Sequence, residues 1–582
     1  MAASDAPRFG SDVMVDLLIE QDIPYVALNP GASFRGLHDS LVNRPGAPEI
    51  IVCPHEKLAV NLAHGYAKAT GKPMAAILHN VVGLLHGTLG VFTAYVDRSP
   101  VIVLGGCGPM DTERRRPWID WLHTANIQGN AVRDFTKWDD QPASIEAMPA
   151  AFARARRIAL TEPAGPVYLA LDADLQEREF SGEVPVIDWA KVGPGSPMAP
   201  DQTALNDAVD RLVAAERPVI VAGYAGREPR AFEWIPTLAE SLGAGVIDMN
   251  SRLNLPTTHR LNVTGTEALA DADVVLLLDM KDTSKVLREV DSATRIQSSK
   301  VAAGTQLIEI GFNDLQASSW IHDVGPIHAM DVSITADTTV ALPILIERVG
   351  ERVAADTPAR AEAREARRTS LADLHRERRA SWRAVAERRW EETPISPARL
   401  AAEVGDAIAE HDWVLTAGTA NEWALRLWDF DKAYRHPGRT LGTATQIGLS
   451  LGVALAHRDQ GRLVVDLQPD GDLMFDPGAL WVASAHRIPM LVVMFNNRAY
   501  YNDWEHQIRL AKARGSDLEK AHIGVNIDGP APDFAGLARS FGWAAEGPIE
   551  DPDAIGDAVR RAVRIVLEEG RPALVDVVCA HR

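Results

Sequence analysis

Asp466-Leu-Gln-Pro-Asp-Gly-Asp-Leu-Met-Phe475 and, one crossover later, Met490-Leu-Val-Val-Met-Phe-Asn-Asn-Arg-Ala-Tyr-Tyr501 set the architecture of this chain. Each holds an apolar run of strand length that closes on oxygen-bearing side chains, Asp470 in one and Asn497 in the other. Strand, helical crossover and strand make a parallel pair. In such a sheet the carboxyl ends of neighbouring strands open on one edge, where ligands of these folds bind. Asp470 and Asn497 can share one hard cation there, since Mg²⁺ is held by a few protein oxygens plus phosphate. Taken singly, Asp-Gly and Asn-Asn are ordinary turn dipeptides.

The same alternation extends outward in both directions. Trp413–Thr416 and Ala573–Val578 read as further strands of a unit spanning residues 393–582. Near the start, Tyr25–Leu28, Glu49–Cys53, Met74–Leu78, Val101–Gly105 and Val167–Leu171 alternate with helical patterns such as Glu56–Ala69, giving a unit over 1–190. Val192-Gly-Pro-Gly-Ser-Pro-Met-Ala-Pro200 reads as a linker. Pro218–Gly223, Gly245–Asp248, Val274–Asp279 and Gln306–Ile310 then predict a central α/β unit over 200–350. Residues 353–392, rich in Ala, Arg and Glu, read as a solvated helical connector. The fold class expected is α/β, with three doubly wound parallel-sheet domains.

Composition narrows the function. At 582 residues the chain is too long for one core. Its formal charge of −20 argues against nucleic acid or an anionic membrane as partner. Three scattered cysteines (Cys53, Cys107 and Cys579) make neither a disulfide framework nor a structural zinc site. No apolar run approaches the roughly 20 residues that span a bilayer, and the first residues lack a signal-peptide layout. A cytoplasmic protein acting on a small molecule is expected.

Together the two motifs resemble the thiamine-diphosphate signature, Gly-Asp-Gly followed by Asn-Asn, of the 2-oxo-acid decarboxylase and acetolactate synthase superfamily. Ile50-Ile-Val-Cys-Pro-His-Glu-Lys-Leu-Ala-Val-Asn61 is similar to that family's strand–glutamate–helix segment, with Asn29-Pro-Gly-Ala-Ser33 upstream. The resemblance implies a pyrimidine-binding, a central and a diphosphate-binding domain, in that order. It implies thiamine diphosphate and Mg²⁺ as cofactors, the metal held by Asp470, Asn497 and the carbonyl of Ala499. Gly471 and Asp472 belong to the same cofactor loop. Glu56 falls on the catalytic glutamate, which shares a proton with the aminopyrimidine ring and so helps form the nucleophilic carbon. Ala417-Gly-Thr-Ala-Asn-Glu-Trp423 resembles the diphosphate-contacting segment, which implies roles for Gly418 and Thr419. Leu441-Gly-Thr-Ala-Thr-Gln-Ile-Gly448 matches the segment that bends the cofactor, with Thr445 where the family places a bulky apolar wedge. Pro469 also departs from the pattern by replacing its first glycine.

On the substrate side, Ile77-Leu-His-Asn-Val-Val-Gly83 is similar to a stretch of benzoylformate decarboxylases and implies a catalytic role for His79. The resemblance also implies a catalytic role for His123, which lies where acetolactate synthases line their pocket, and substrate contacts for Ser33 and Asn80. The family architecture implies a homodimer or homotetramer with sites at the subunit interface. The implied reaction is decarboxylation of a 2-oxo acid through an enamine. Carboligation as in acetolactate synthases, cleavage of a 2-hydroxyacyl-CoA, and a non-catalytic cofactor-binding role are the alternatives. Arg498-Ala-Tyr-Tyr after Asn497 counts against the acyl-CoA branch. His506 reads as part of a surface helix, and Cys53 as a buried strand cysteine. Gly223, Gly226 and Arg227 make a phosphate contact in the central unit conceivable.

Overall fold

The computed structural model of the chain describes residues 8–291, 294–316, 327–418, 420–439 and 443–581. Three parallel sheets appear in the order that the alternation predicts. The first contains β1 (Tyr25–Leu28), β2 (Glu49–Val52), β3 (Met74–Leu78), β4 (Val101–Cys107), β5 (Trp138–Asp140) and β6 (Val167–Asp172). Their spatial order is β2-β1-β3-β4-β6-β5. The second contains β7 (Pro218–Ala222), β8 (Gly245–Asp248) and β9 (Val274–Leu278). After a short antiparallel pair, β10 (Arg288–Val290) and β11 (Gln297–Ser299), it is completed by β12 (Gln306–Gly311) and β13 (Val332–Thr335), in the order β13-β12-β9-β7-β8. The third contains β14 (Trp413–Leu415), β15 (Leu463–Pro469), β16 (Leu491–Asn496), β17 (Ala544–Ile549) and β18 (Ala573–Val578), ordered β14-β15-β16-β18-β17.

Burial explains why these segments are strands. Along β7, Ile220 and Ala222 join one apolar cluster while Val219 and Val221 join another, so both faces of the sheet are covered. A strand buried on both sides needs a continuous apolar run, which is what the sequence supplies. Pro469 ends β15, where its fixed φ of −66° suits an extended residue.

The residues gather in two compact units. One comprises Met1–Ser196, Thr440–Gln460 and Asp476–Met490 and holds the first sheet; the other comprises Pro197–Arg439, Gly461–Phe475 and Leu491–Arg582 and holds the second and third. The connector is mainly exposed. It is a helix, Pro358–Arg388, but Arg364 and Arg379 on it are buried. Arg367 and Arg368 donate to the carbonyls of Leu242 and Glu240, which end the Ala231–Leu242 helix. Arginines that cap the negative end of another helix are drawn onto the protein surface rather than left in water. Among the described residues no helix is long and apolar enough to cross a membrane.

Candidate active site

In the first unit, four adjacent strands deliver the candidate residues to one edge. Ser33 follows the carboxyl end of β1, Glu56 that of β2, His79 and Asn80 that of β3, and His123 lies in the segment after β4. The edge exists because all the pairings are parallel.

Glu56 is the first residue of the Glu56–Thr70 helix, which His55 caps by accepting from the Lys57 N–H. Its carboxylate is buried, and Oε2 lies 3.2 Å from Nδ1 of His86 on the neighbouring Val81–Val96 helix. The His86 ring stacks on that of His55 at 5.2 Å between centroids. The other oxygen, Oε1, faces Gly83, where a Cβ would come within 2.9 Å of it and within 3.0 Å of His79 Cβ. Glycine at 83 therefore keeps Glu56 and His79 close together. His86 lay outside the motifs read from the sequence, and Gly83, the last residue of the Ile77–Gly83 stretch, was given no role there. The available signal was Gly83, Gly87 and Gly90 recurring on one helical face.

His79 Nδ1 lies 2.9 Å from Ser33 Oγ, and the same Oγ accepts from the Asn80 N–H at 3.1 Å. Ser33 Oγ, which accepts from Asn80, still has its own proton to give to Nδ1, and when it does so neutral His79 carries its proton on Nε2. Burial lowers the His79 pKa, and neighbouring His123 and Arg116 push the same way. The His79 and His123 rings meet edge to face at 5.2 Å. Asn80 uses Oδ1 to cap the Val81–Val96 helix by accepting from Val82 N–H.

In the second unit, Asp470 follows β15 and Asn497 follows β16, its neighbour in the sheet. Asp470 accepts from the N–H groups of Gly471 (2.8 Å) and Ala499 (3.3 Å), and Asn497 Oδ1 accepts from Ala499 N–H at 3.1 Å. Arg498 adopts a positive φ of 55°, which turns the backbone back over Asp470. Beyond it, Ile527 N–H donates to Arg498 O and Tyr500 N–H to Val525 O, so this bridge does not use the Ala499 carbonyl. Burial raises the Asp470 carboxyl to about 6, and the contacts opposing that rise are backbone N–H groups rather than cationic side chains. A buried carboxyl beside an amide oxygen, without a cationic partner among those contacts, suits a hard divalent cation. Asp472, also buried, accepts from Gln468 Nε2.

Gly418 is buried in the segment after β14, while Thr419 lies outside the described residues. Thr445 is buried at the N-terminus of the Gln446–His457 helix, next to Ala444, whose φ of 58° is strained for a residue with a Cβ. His506 sits in the Tyr501–Arg514 helix, as expected. Cys53 is fully buried, and burial pushes its thiol pKa upward, away from nucleophilic use. In the central sheet Arg227 pairs with Asp279 and with Asp337, the latter at 2.6 Å, so its charge is already matched inside the protein.

Comparison with known proteins gives these geometries a family. Residues 8–130 match the model of the thiamine pyrophosphate enzyme N-terminal TPP binding domain, and residues 416–577 match that of the C-terminal TPP binding domain. The chain is 22% identical to acetolactate synthase of Bacillus subtilis (strain 168), covering 98% of this chain and 92% of that one. In fold it is similar to the thiamine diphosphate-dependent 4-hydroxybenzoylformate decarboxylase of Rhodococcus jostii RHA1 (TM-score 0.75, 20% identity, 99% of each chain). It is equally similar to benzoylformate decarboxylase of Polynucleobacter necessarius (TM-score 0.75, 18% identity, 98% of each chain).

Proposed function

We propose that this chain, which belongs to the thiamine pyrophosphate enzymes and carries both of their TPP-binding domains, is a carbon–carbon lyase that decarboxylates a 2-oxo acid. The observation that carries this reading is the half-buried His79, hydrogen-bonded to Ser33 and close to Glu56 on one strand edge. When bound, thiamine diphosphate supplies a nucleophilic carbon and an electron sink for the departing CO₂.

The rest is the work of the chain's own residues. Asp470, Asn497 and the Ala499 carbonyl would hold Mg²⁺; Gly418, Thr419, Gly471 and Asp472 would face the diphosphate, and Thr445 would support the bend of the cofactor. Glu56 would hold a proton on Oε1, the oxygen on the Gly83 side, while His86 fixes Oε2. His79 would present Nε2–H, first to the substrate carboxylate and then as the proton donor to the product carbon. Ser33, oriented by the Asn80 N–H, would donate to Nδ1 and so favour that tautomer, and the His123 ring packs edge to face against the imidazole. Two or four copies would form the working enzyme, in the cytoplasm.

Carboligation is the second reading, favoured by the acetolactate synthase likeness along nearly the whole chain. Incubation with Mg²⁺, thiamine diphosphate and either pyruvate or an aromatic 2-oxo acid separates the two. We expect CO₂ and free aldehyde in equal amounts, and a loss of about 10²–10³-fold in H79A. Acetolactate or acetoin without free aldehyde would establish the ligase instead.

A further inference from the structure

We propose that His55, Glu56 and His86 form a site for a zinc-class divalent cation, and that such an ion reversibly disables Glu56. The effect on Glu56 rests on the function proposed above; the binding does not. One ligand atom from each residue lies within 4.8 Å of the other two. His86 Nδ1 and Glu56 Oε2 are 3.2 Å apart, close to the roughly 3.3 Å edge of a tetrahedron with zinc–ligand bonds of about 2.0 Å. The stacked His55 ring brings the third donor. Two imidazoles and one carboxylate suit zinc rather than Mg²⁺, whereas the donors around Asp470 are all oxygen.

Three protein ligands leave a fourth position for water or an exchanging ligand. The His86 side chain is 56% exposed, so an ion can reach the site from solvent. Coordination through its Nδ1 needs only the other tautomer of the neutral ring. Two features oppose binding: the positive end of the Glu56–Thr70 helix dipole, and the cap bond that His55 accepts from Lys57 N–H. Both are small beside metal–ligand bonds, and the nearby Lys57 ammonium is already paired with Asp476 at 2.8 Å. A carboxylate committed to the ion can no longer carry a proton, so occupancy stops the step assigned to Glu56.

The test uses the full chain, freed of divalent ions and titrated with ZnCl₂ by calorimetry in excess Mg²⁺. We expect one Zn²⁺ per chain, at least tenfold weaker binding in H86A and in H55A, and unchanged binding in D470N. Co²⁺ added to the unaltered protein should give the visible spectrum of a low-coordinate nitrogen–oxygen site, a readout independent of whether any variant folds. No stoichiometric zinc, or an affinity unmoved by both histidine variants, would overturn the proposal. Zinc should also slow 2-oxo-acid turnover, with recovery on chelation and tenfold resistance in H86A; equal inhibition of H86A would place the ion elsewhere and overturn it. Zinc binding without retention of thiamine diphosphate would sink only the functional reading, and cofactor retention without zinc binding only this one.

Discussion

A carboxyl group whose burial outweighs its hydrogen bonds and nearby cations has a raised pKa, and the second unit holds several. Asp576 on β18 is fully buried, accepts from Asn496 Nδ2 at 3.0 Å and is pushed up to about 6 by burial. Asp248 is likewise raised to about 6 and Glu309 to about 7. The sign follows from linkage: the folded state holds these protons more tightly than the unfolded state, so stability falls as pH rises from about 4 through the folded pKa. Asp576→Asn tests this cleanly, because the amide oxygen can keep the bond from Asn496 and the NH₂ takes the place of the protonated oxygen. At pH 8 D576N should be more stable than the parent by up to about 3 kcal/mol, from two pKa units at about 1.4 kcal/mol each. The difference should disappear towards pH 4. Urea midpoints with unchanged slopes at the two pH values decide it, and a parent that is equally stable at pH 8 would show the buried charge to be compensated.

Elements meet where side chains permit it, and in the first unit the Glu56–Thr70 and Gln446–His457 helices meet backbone to backbone. A Cβ on Gly65 would lie 2.0 Å from the carbonyl oxygen of Leu449, and one on Gly452 would lie 2.0 Å from that of Leu62. Backbone cannot give way as a flexible side chain can, so G65A and G452A should each cost about 3 kcal/mol or more. G71A, at the positive-φ cap of the same helix with open space around it, should cost only about 1–2 kcal/mol. Thermal unfolding of the three variants would show that order, and a G65A variant no worse than G71A would mean that the helices can part without loss. This contact marks the boundary of what could be read from sequence. Thirteen strands were legible as short apolar runs, and only their ends moved, as in Val101–Cys107 for Val101–Gly105; β5, β10, β11, β13 and β17 were not read, and each of them leaves residues exposed or half-buried, so no apolar run marks it. The shared edge of Asp470 and Asn497 was legible because parallel topology puts strand ends together, whereas Ser33, Glu56, His79 and His123 were reached through the family resemblance. What could not be read was long-range: which distant helix Gly65 would touch, that the connector arginines would cap another helix, or that His86 would reach Glu56. Nothing in local periodicity records such partners.

For the molecule as a whole, charge and exposed apolar surface act against each other. Each chain carries −20, so copies repel at long range, and about 0.15 M salt shortens that repulsion to roughly 8 Å. Yet between β4 and β5 the first unit exposes Trp118 and Trp121, at 70% and 81%, together with Leu122 and Ile127. An apolar group of this kind in the segment that also carries His123 suits coverage by another protein surface. If a second copy provides it, contact energy is short-ranged and apolar while the opposition is long-ranged and ionic. Self-association should therefore strengthen as salt rises from about 0.02 to 0.2 M, the reverse of an interface held by ion pairs. Trp121→Asp places a charge in that surface and should shift the protein towards monomer at every salt concentration, while the folded chain keeps its circular dichroism because Trp121 is not part of any core. Sedimentation velocity across the salt series measures both effects. A W121D protein that assembles as well as the parent would assign the covering surface to a different partner, and association that weakens with salt would mean that ion pairs, not these tryptophans, hold the copies together.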